Sequence, residues 1–132
     1  MASKAERGGM MAGTIFMVLG VILGAMGAHA LEKSLTPAAL DSFETAVRYQ
    51  IYHGLALLIL ARYKSFNKTI LYLFIGGVIL FSGSIYLLTT DELMSVSLSA
   101  LGPVTPIGGM LLIIGWIVLF INILREKSAN RG

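Results

Sequence analysis

The sequence predicts an all-α integral membrane protein: a four-transmembrane-helix bundle with both termini on the cytoplasmic side, N-in and C-in. Three observations predict it. The 132 residues are 56% hydrophobic and only 13% charged, whereas soluble domains carry about a quarter charged residues. The apolar residues gather into runs near the ~20 residues needed to cross ~30 Å of hydrocarbon. These runs lack the two-residue alternation of barrel strands, and only helices or closed barrels can cross a bilayer. Third, eight of the ten Lys and Arg residues fall on one side of such a bundle.

The first span covers roughly residues 10–31. The second covers roughly 49–63, with a polar helical lead-in from Pro37. The third covers roughly 70–88 and the fourth roughly 107–124. Thr36-Pro37 reads as an N-cap followed by proline at the first helical position, and Thr105-Pro106 as the same device opening the last helix. Leu101-Gly102-Pro103-Val104 is a turn. Residues 93–101, with Ser95, Ser97 and Ser99 alternating with apolar residues, read either as a strand-like loop or as a short extension of the third span. The whole chain, 1–132, is one membrane domain; its longest polar stretches, about a dozen residues, leave no room for a soluble catalytic unit.

Orientation follows from the basic residues. Lys4, Arg7, Arg62, Lys64, Lys68, Arg125, Lys127 and Arg131 share one side. Lys33 and Arg48 are on the other, together with five of the seven acids: Glu32, Asp41, Glu44, Asp91 and Glu92. The bias places both termini in the cytoplasm, or the equivalent compartment, and argues against dual insertion. Lys4, Arg7, an apolar run and Ala28-His29-Ala30 imitate a cleavable secretory signal. That run is longer than the usual ~7–15 residues, carries glycines at packing spacing and precedes more membrane-embedded chain, so the first span is expected to stay uncleaved.

In lipid, small residues mark helix–helix interfaces. Gly20, Gly24 and Gly27 in span 1, Gly76, Gly77 and Gly83 in span 3, and Gly108, Gly109 and Gly115 in span 4 are the expected packing positions. Spans 3 and 4 resemble each other at a spacing of 32 residues, a weak sign of duplication. Ser82 and Ser84, beside Gly83, read as packing residues.

Ionisable groups are costly inside a bilayer and mark candidate sites. His29, Glu44, Arg48, Tyr52 and His53 form the candidate polar cluster. Counted from Arg62 at ~1.5 Å per residue, His53 lies about 14 Å up, near the midplane, Arg48 about 21 Å and Glu44 about 27 Å. Glu44 and Arg48, four apart with the acid first, are placed to pair, with Tyr52 one turn further on and Asp41 and Thr45 flanking. Counted from Met10, His29 lies level with Glu44 and Arg48, so a His29–Glu44 contact is expected. Two functions suit the cluster: locking the helix 1–helix 2 register, or binding a ligand, proton or lipid headgroup. His53 is expected to be neutral at pH 7. The two histidines, about 14 Å apart in depth, are not expected to share a haem.

Cysteine is absent, which removes disulfides, thiolate metal sites and cysteine nucleophiles. The chain has no H-E-x-x-H, no phosphate-cradling loop and no G-x-S-x-G. No basic patch interleaved with aromatics suggests nucleic acid. The reading is of a non-enzyme with no catalytic residue, cofactor or metal. Its expected partners are the lipid bilayer and either another membrane protein or further copies of itself. The leading function is an accessory or assembly partner of a membrane complex. The alternatives are a small oligomeric transporter or proton-linked carrier, or a lipid- or quinone-binding protein, built on Glu44, Arg48 and His53.

Four motifs carry a family resemblance. They are Gly24-Ala25-Met26-Gly27-Ala28-His29-Ala30-Leu31; Phe43-Glu44-Thr45-Ala46-x-Arg48-Tyr49-Gln50-x-Tyr52-His53-x-Leu55-Ala56; Gly77-x-x-Leu80-Phe81-Ser82-Gly83-Ser84-x-Tyr86; and Gly102-Pro103-x-Thr105-Pro106-Ile107-Gly108-Gly109. In order and spacing they resemble the YgdD/YwdK-type family of small bacterial membrane proteins, a domain of unknown function (423) with a eukaryotic transmembrane relative. The resemblance covers roughly residues 10–124. It implies a four-helix inner-membrane protein with an uncleaved first span and no established activity, and it supplies no catalytic residues.

Overall fold

The computed structural model describes residues 1–129, and Arg131, counted above among the basic residues, lies outside them. Among the described residues the chain is all-helical: α1 (Lys4–His29), α2 (Pro37–Leu60), α3 (Lys68–Thr90) and α4 (Val104–Ala129), with short 3-10 turns at Asp91–Met94 and Ser99–Leu101 between α3 and α4. Three helical stretches, Lys4–His29, Lys68–Met94 and Ser99–Ser128, are long and apolar enough to cross a bilayer. The polar residues in the first half of α2 keep it out of that group.

Side-chain caps start the first three helices. Ser3 accepts from the Glu6 N–H, Thr36 from the Ala39 N–H ahead of Pro37, and Asn67 from the Ile70 N–H. The expected Thr105 cap is not used. Helix α4 begins at Val104, and Pro106 falls in the first turn, where its missing N–H is not needed. The Thr105 hydroxyl instead meets Ser84 Oγ at 2.5 Å, tying the start of α4 to α3. Residues 91–101 resolve the open alternatives: two 3-10 turns flank a bend, Ser95 takes a left-handed conformation (φ 56°), and the Asp91 carboxylate accepts from the Leu98 N–H at 3.1 Å.

Consecutive helices pack antiparallel, and glycines set how closely. On the α1–α2 line, Gly27 faces Phe43, Gly24 faces Val47, Gly20 faces Ile51, and Gly13 faces the Gly54 carbonyl. On the α3–α4 line, Gly77 faces Leu112, Gly115 faces Phe74, and Gly108 lies against the backbone of Leu80 and Phe81. Gly76 and Gly109 sit at looser contacts with Leu111 and Phe81. Of the expected packing glycines only Gly83 is misplaced: a Cβ there would meet nothing within 4 Å. Gly9, Gly13 and Gly54 are buried packing positions that the expectation omitted. The packing is mainly sequential: α2 joins α1 to α3, and α3 joins α2 to α4, with a smaller α1–α3 contact where Gly8 meets Leu71. Helices α1 and α4 make no substantial contact, so the bundle is an open row and not a closed square.

At the end that holds both termini, α1 and α4 grip the α2–α3 loop. Arg62 pairs with Glu6 at 3.8 Å, the Asn122 amide donates to the Ser65 carbonyl at 2.9 Å, and the Ser65 hydroxyl bonds Glu126. Glu6 and Glu126 are the two acids of the basic side, and each is held by this loop. Above it lies the apolar core of Phe16, Leu57, Phe66, Ile70, Phe74, Val78, Leu112 and Leu119.

Candidate functional site

Helix α2 divides its polar residues between two faces. Positions 43, 46, 50, 53, 54 and 57 turn inward and are buried, whereas 41, 44, 48, 52, 55 and 59 turn outward and are exposed. Each set follows the three- and four-residue spacing of one helical face. The inward set holds Gln50 and His53; the outward set holds Asp41, Glu44, Arg48 and Tyr52.

The inward polar groups join helices. The Gln50 amide donates to the Phe16 carbonyl of α1 at 2.9 Å and accepts from the Tyr86 hydroxyl of α3 at 2.7 Å. Ser82 of α3 donates to the Ala46 carbonyl at 2.7 Å. His53, 5% exposed, lies against Phe74 of α3 and Trp116 of α4, with ring centroids 5.2 and 5.7 Å away. Its two nitrogens are both occupied: Nδ1 is 2.8 Å from the Tyr49 carbonyl, and Nε2 is 3.0 Å from Trp116 Nε1. No buried side-chain polar atom among the described residues lacks a partner. Unpaired, such groups would each cost several kcal/mol in hydrocarbon.

This geometry fixes the protonation of His53. An indole N–H can only donate, so Nε2 accepts and carries no proton. The proton is on Nδ1 and donates to Tyr49, and the ring is neutral. Nitrogen-15 NMR of the protein at pH 7 is expected to show a pyrrole-type Nδ1 and a pyridine-type Nε2. Two protonated nitrogens would contradict the assignment.

The five residues of the expected cluster do not converge. His53 points into the α2–α3–α4 junction, while Glu44, Arg48 and Tyr52 (56% exposed) look outward. Glu44 and Arg48 do not pair. Arg48 Nη2 donates to Thr45 Oγ1 at 2.8 Å, and the one ion pair among the described residues is Arg62–Glu6. His29 is exposed and ends α1 two residues beyond the Gly27–Phe43 contact, which sets it level with Asp41 rather than Glu44 or Arg48. Counting both helices from assumed membrane boundaries misplaced this register; the glycine contacts define it.

Trp116, Tyr86 and Gln50 join the helices and lie outside the expected cluster. Trp116 had a signal. It is the one tryptophan of the chain, it sits mid-helix and not at a membrane interface, and an indole N–H away from water needs an acceptor. Between α2 and α4, Tyr49, His53, Phe81, Gly109, Leu112, Ile113 and Trp116 line an aromatic cleft that opens outward.

Fold and site together define an all-helical membrane protein whose interior polar groups bind helix to helix. The chain belongs to a family whose members carry the description "Protein of unknown function (DUF423)", and the family model matches residues 23–109. A UPF0382 membrane protein of Staphylococcus aureus (strain bovine RF122 / ET3-1) is 39% identical over 118 residues, 81% of this chain and 93% of that one. The UPF0382 membrane protein YwdK of Bacillus subtilis is 36% identical over 115 residues, 83% and 89% of the two chains. No solved structure matches the chain.

Proposed function

We propose that the chain is a four-span protein of the bacterial cytoplasmic membrane, with both termini inside. It acts by association, as an accessory or assembly partner of a membrane complex, and catalyses no reaction of its own. The observation that carries the reading is the use of polar groups: Gln50, His53, Ser82 and Ser84 all serve bonds between helices within the fold, while apolar side chains cover the outer faces of α1 and α4. A crossing by α2 is supported by its neighbour. Helix α1 qualifies as a span, and α2 lies against it from Gly9–Ala61 to Gly27–Phe43, about 27 Å of shared length. The basic bias supports termini-in.

Native mass spectrometry of the chain, extracted gently from its own membrane, tests the association. A reproducible second protein supports it and names the process. Recovery of this chain alone in every mild detergent overturns the accessory role. The aromatic α2–α4 cleft favours one alternative, a bound lipid or quinone. That version requires a retained small molecule that is lost on Trp116→Ala. The carrier version needs His53, Glu44 and Arg48 on one path, and they occupy opposite faces of α2.

A further inference from the structure

The outward face of α2 carries a row that the folded monomer leaves unanswered. Asp41, Glu44, Arg48, Tyr52, Leu55 and Ile59 follow one another at three- and four-residue steps, all exposed. Among the described residues Glu44 makes no ion pair, Arg48 has only the Thr45 hydroxyl, and the Tyr52 hydroxyl has no hydrogen-bond partner. Arg48, about 21 Å above Arg62, faces lipid inside the ~30 Å core, where an unanswered charge is costly, and Glu44 lies one turn on, toward the core's edge. A lipid phosphate would satisfy Arg48 and repel Glu44, one turn away.

We propose that a second copy of this chain covers the row, in a parallel two-fold dimer of α2 on α2. A two-fold axis along the membrane normal sets identical residues at identical depth and makes every contact reciprocal. Glu44 of each copy then meets Arg48 of the other across an axial offset of about 6 Å, which long side chains span. Two ion pairs form from one pair of positions and answer the four charges at 44 and 48, while the exposed Asp41, one turn further out, stays outside the pairs. The two Tyr52 side chains meet one turn below, and Leu55 and Ile59 continue the seam as apolar contact. The row is thus charge-complementary to itself. The inference rests on the membrane crossing of α2 and names one partner within the association reading.

The absence of cysteine lets a single introduced thiol report the seam. In native membranes the full chain carrying Leu55→Cys is expected to cross-link to a dimer, and the chain carrying Ile22→Cys, on the outer face of α1, is not. Adding Glu44→Arg, or Arg48→Glu, is expected to lower the dimer yield about ten-fold, the equivalent of ~1.4 kcal/mol. Co-expression supplies the stringent arm. At positions 44 and 48 the Glu44→Arg chain presents two cations and the Arg48→Glu chain two anions, so differently tagged copies of the two are expected to cross-link to each other at the unmodified yield. Glu44→Gln, which adds no repulsion, is expected to lower the yield several-fold and serves if a charge-reversed chain fails to accumulate.

An absent Leu55→Cys dimer, a yield insensitive to Glu44→Gln, or no rescue in the mixture overturns the dimer. A monomer that retains phospholipid, lost on Arg48→Gln, overturns it in favour of a lipid phosphate. A different protein trapped at Leu55→Cys overturns the second copy and leaves the accessory role standing.

Discussion

Replacing Gly108 by alanine is expected to destabilise the fold more than any other single methyl addition at its glycines. A Cβ there would lie 2.2 Å from the Phe81 backbone nitrogen and 2.7 Å from the Leu80 carbonyl carbon. Backbone cannot step aside as a side chain does, so α4 must withdraw from α3. At Gly77 and Gly115 the added atom meets Leu112 and Phe74 side chains, at 2.5 and 2.6 Å, which can partly rotate away. Overpacking costs about 1–3 kcal/mol and occasionally more; Gly108→Ala belongs at the upper end, about 3 kcal/mol. Gly83→Ala is the internal control. With open space around it, its effect should stay within about 0.5 kcal/mol, aided by alanine's better helix propensity. Reversible unfolding in mixed micelles compares the two. Equal stability of the variants would remove Gly108 from its place at the centre of the α3–α4 contact.

The second large effect is expected at Gln50. Its amide holds α1 through the Phe16 carbonyl and α3 through the Tyr86 hydroxyl. Interhelical hydrogen bonds in membranes average about 0.6 kcal/mol and reach about 1.7, and an orphaned buried hydroxyl adds about 1–3 kcal/mol. Gln50→Leu removes both bonds and strands Tyr86, for a loss of about 2 kcal/mol. Tyr86→Phe removes one bond and leaves Gln50 Oε1 unanswered but keeps the Phe16 bond, so it should cost less than Gln50→Leu. The double variant should fall short of the sum, because the two residues share a bond. Additive losses, or a Gln50→Leu effect no larger than that of Tyr86→Phe, would show that the three-helix link contributes nothing beyond packing.

The sequence made the helices legible because their signals are local. Apolar runs, the Thr36-Pro37 start and the Gly102-Pro103 turn each act within a few residues. Small-residue spacing located most interface positions, since a glycine between lipid-embedded helices has few other uses. Gly13 was equally readable: Gly13, Gly20 and Gly27 recur every seven residues, one side of α1 over two turns each. Gly83 failed because composition cannot say which side of a helix its neighbours occupy. The candidate site was less legible. Charge drew the eye to Glu44, Arg48 and His29, yet the residues that bind helix to helix are the uncharged Gln50, Tyr86, Ser82 and Trp116 with neutral His53. Reading α2 by periodicity separates them: Phe43, Ala46, Gln50, His53 and Leu57 form one face, and Glu44, Arg48 and Tyr52 the other. The His53–Trp116 bond spans 63 residues, and no local pattern announces a contact at that range.

Packing dominated by neighbouring helices has a kinetic side. Low contact order favours fast folding, and here each antiparallel hairpin can close once its second helix has left the ribosome. The α1–α2 pair carries its own glycine line and needs nothing from the second half. The α2–α3 seam follows once α3 is out, and the grip of Asn122 and Glu126 on Ser65 comes last, since α4 emerges last. A nascent chain halted before α4 would already hold the first hairpin, with Trp116 still to arrive and His53 Nε2 still unbonded. The tryptophan thus serves as a late latch, closing a site whose α2 and α3 walls are in place before it.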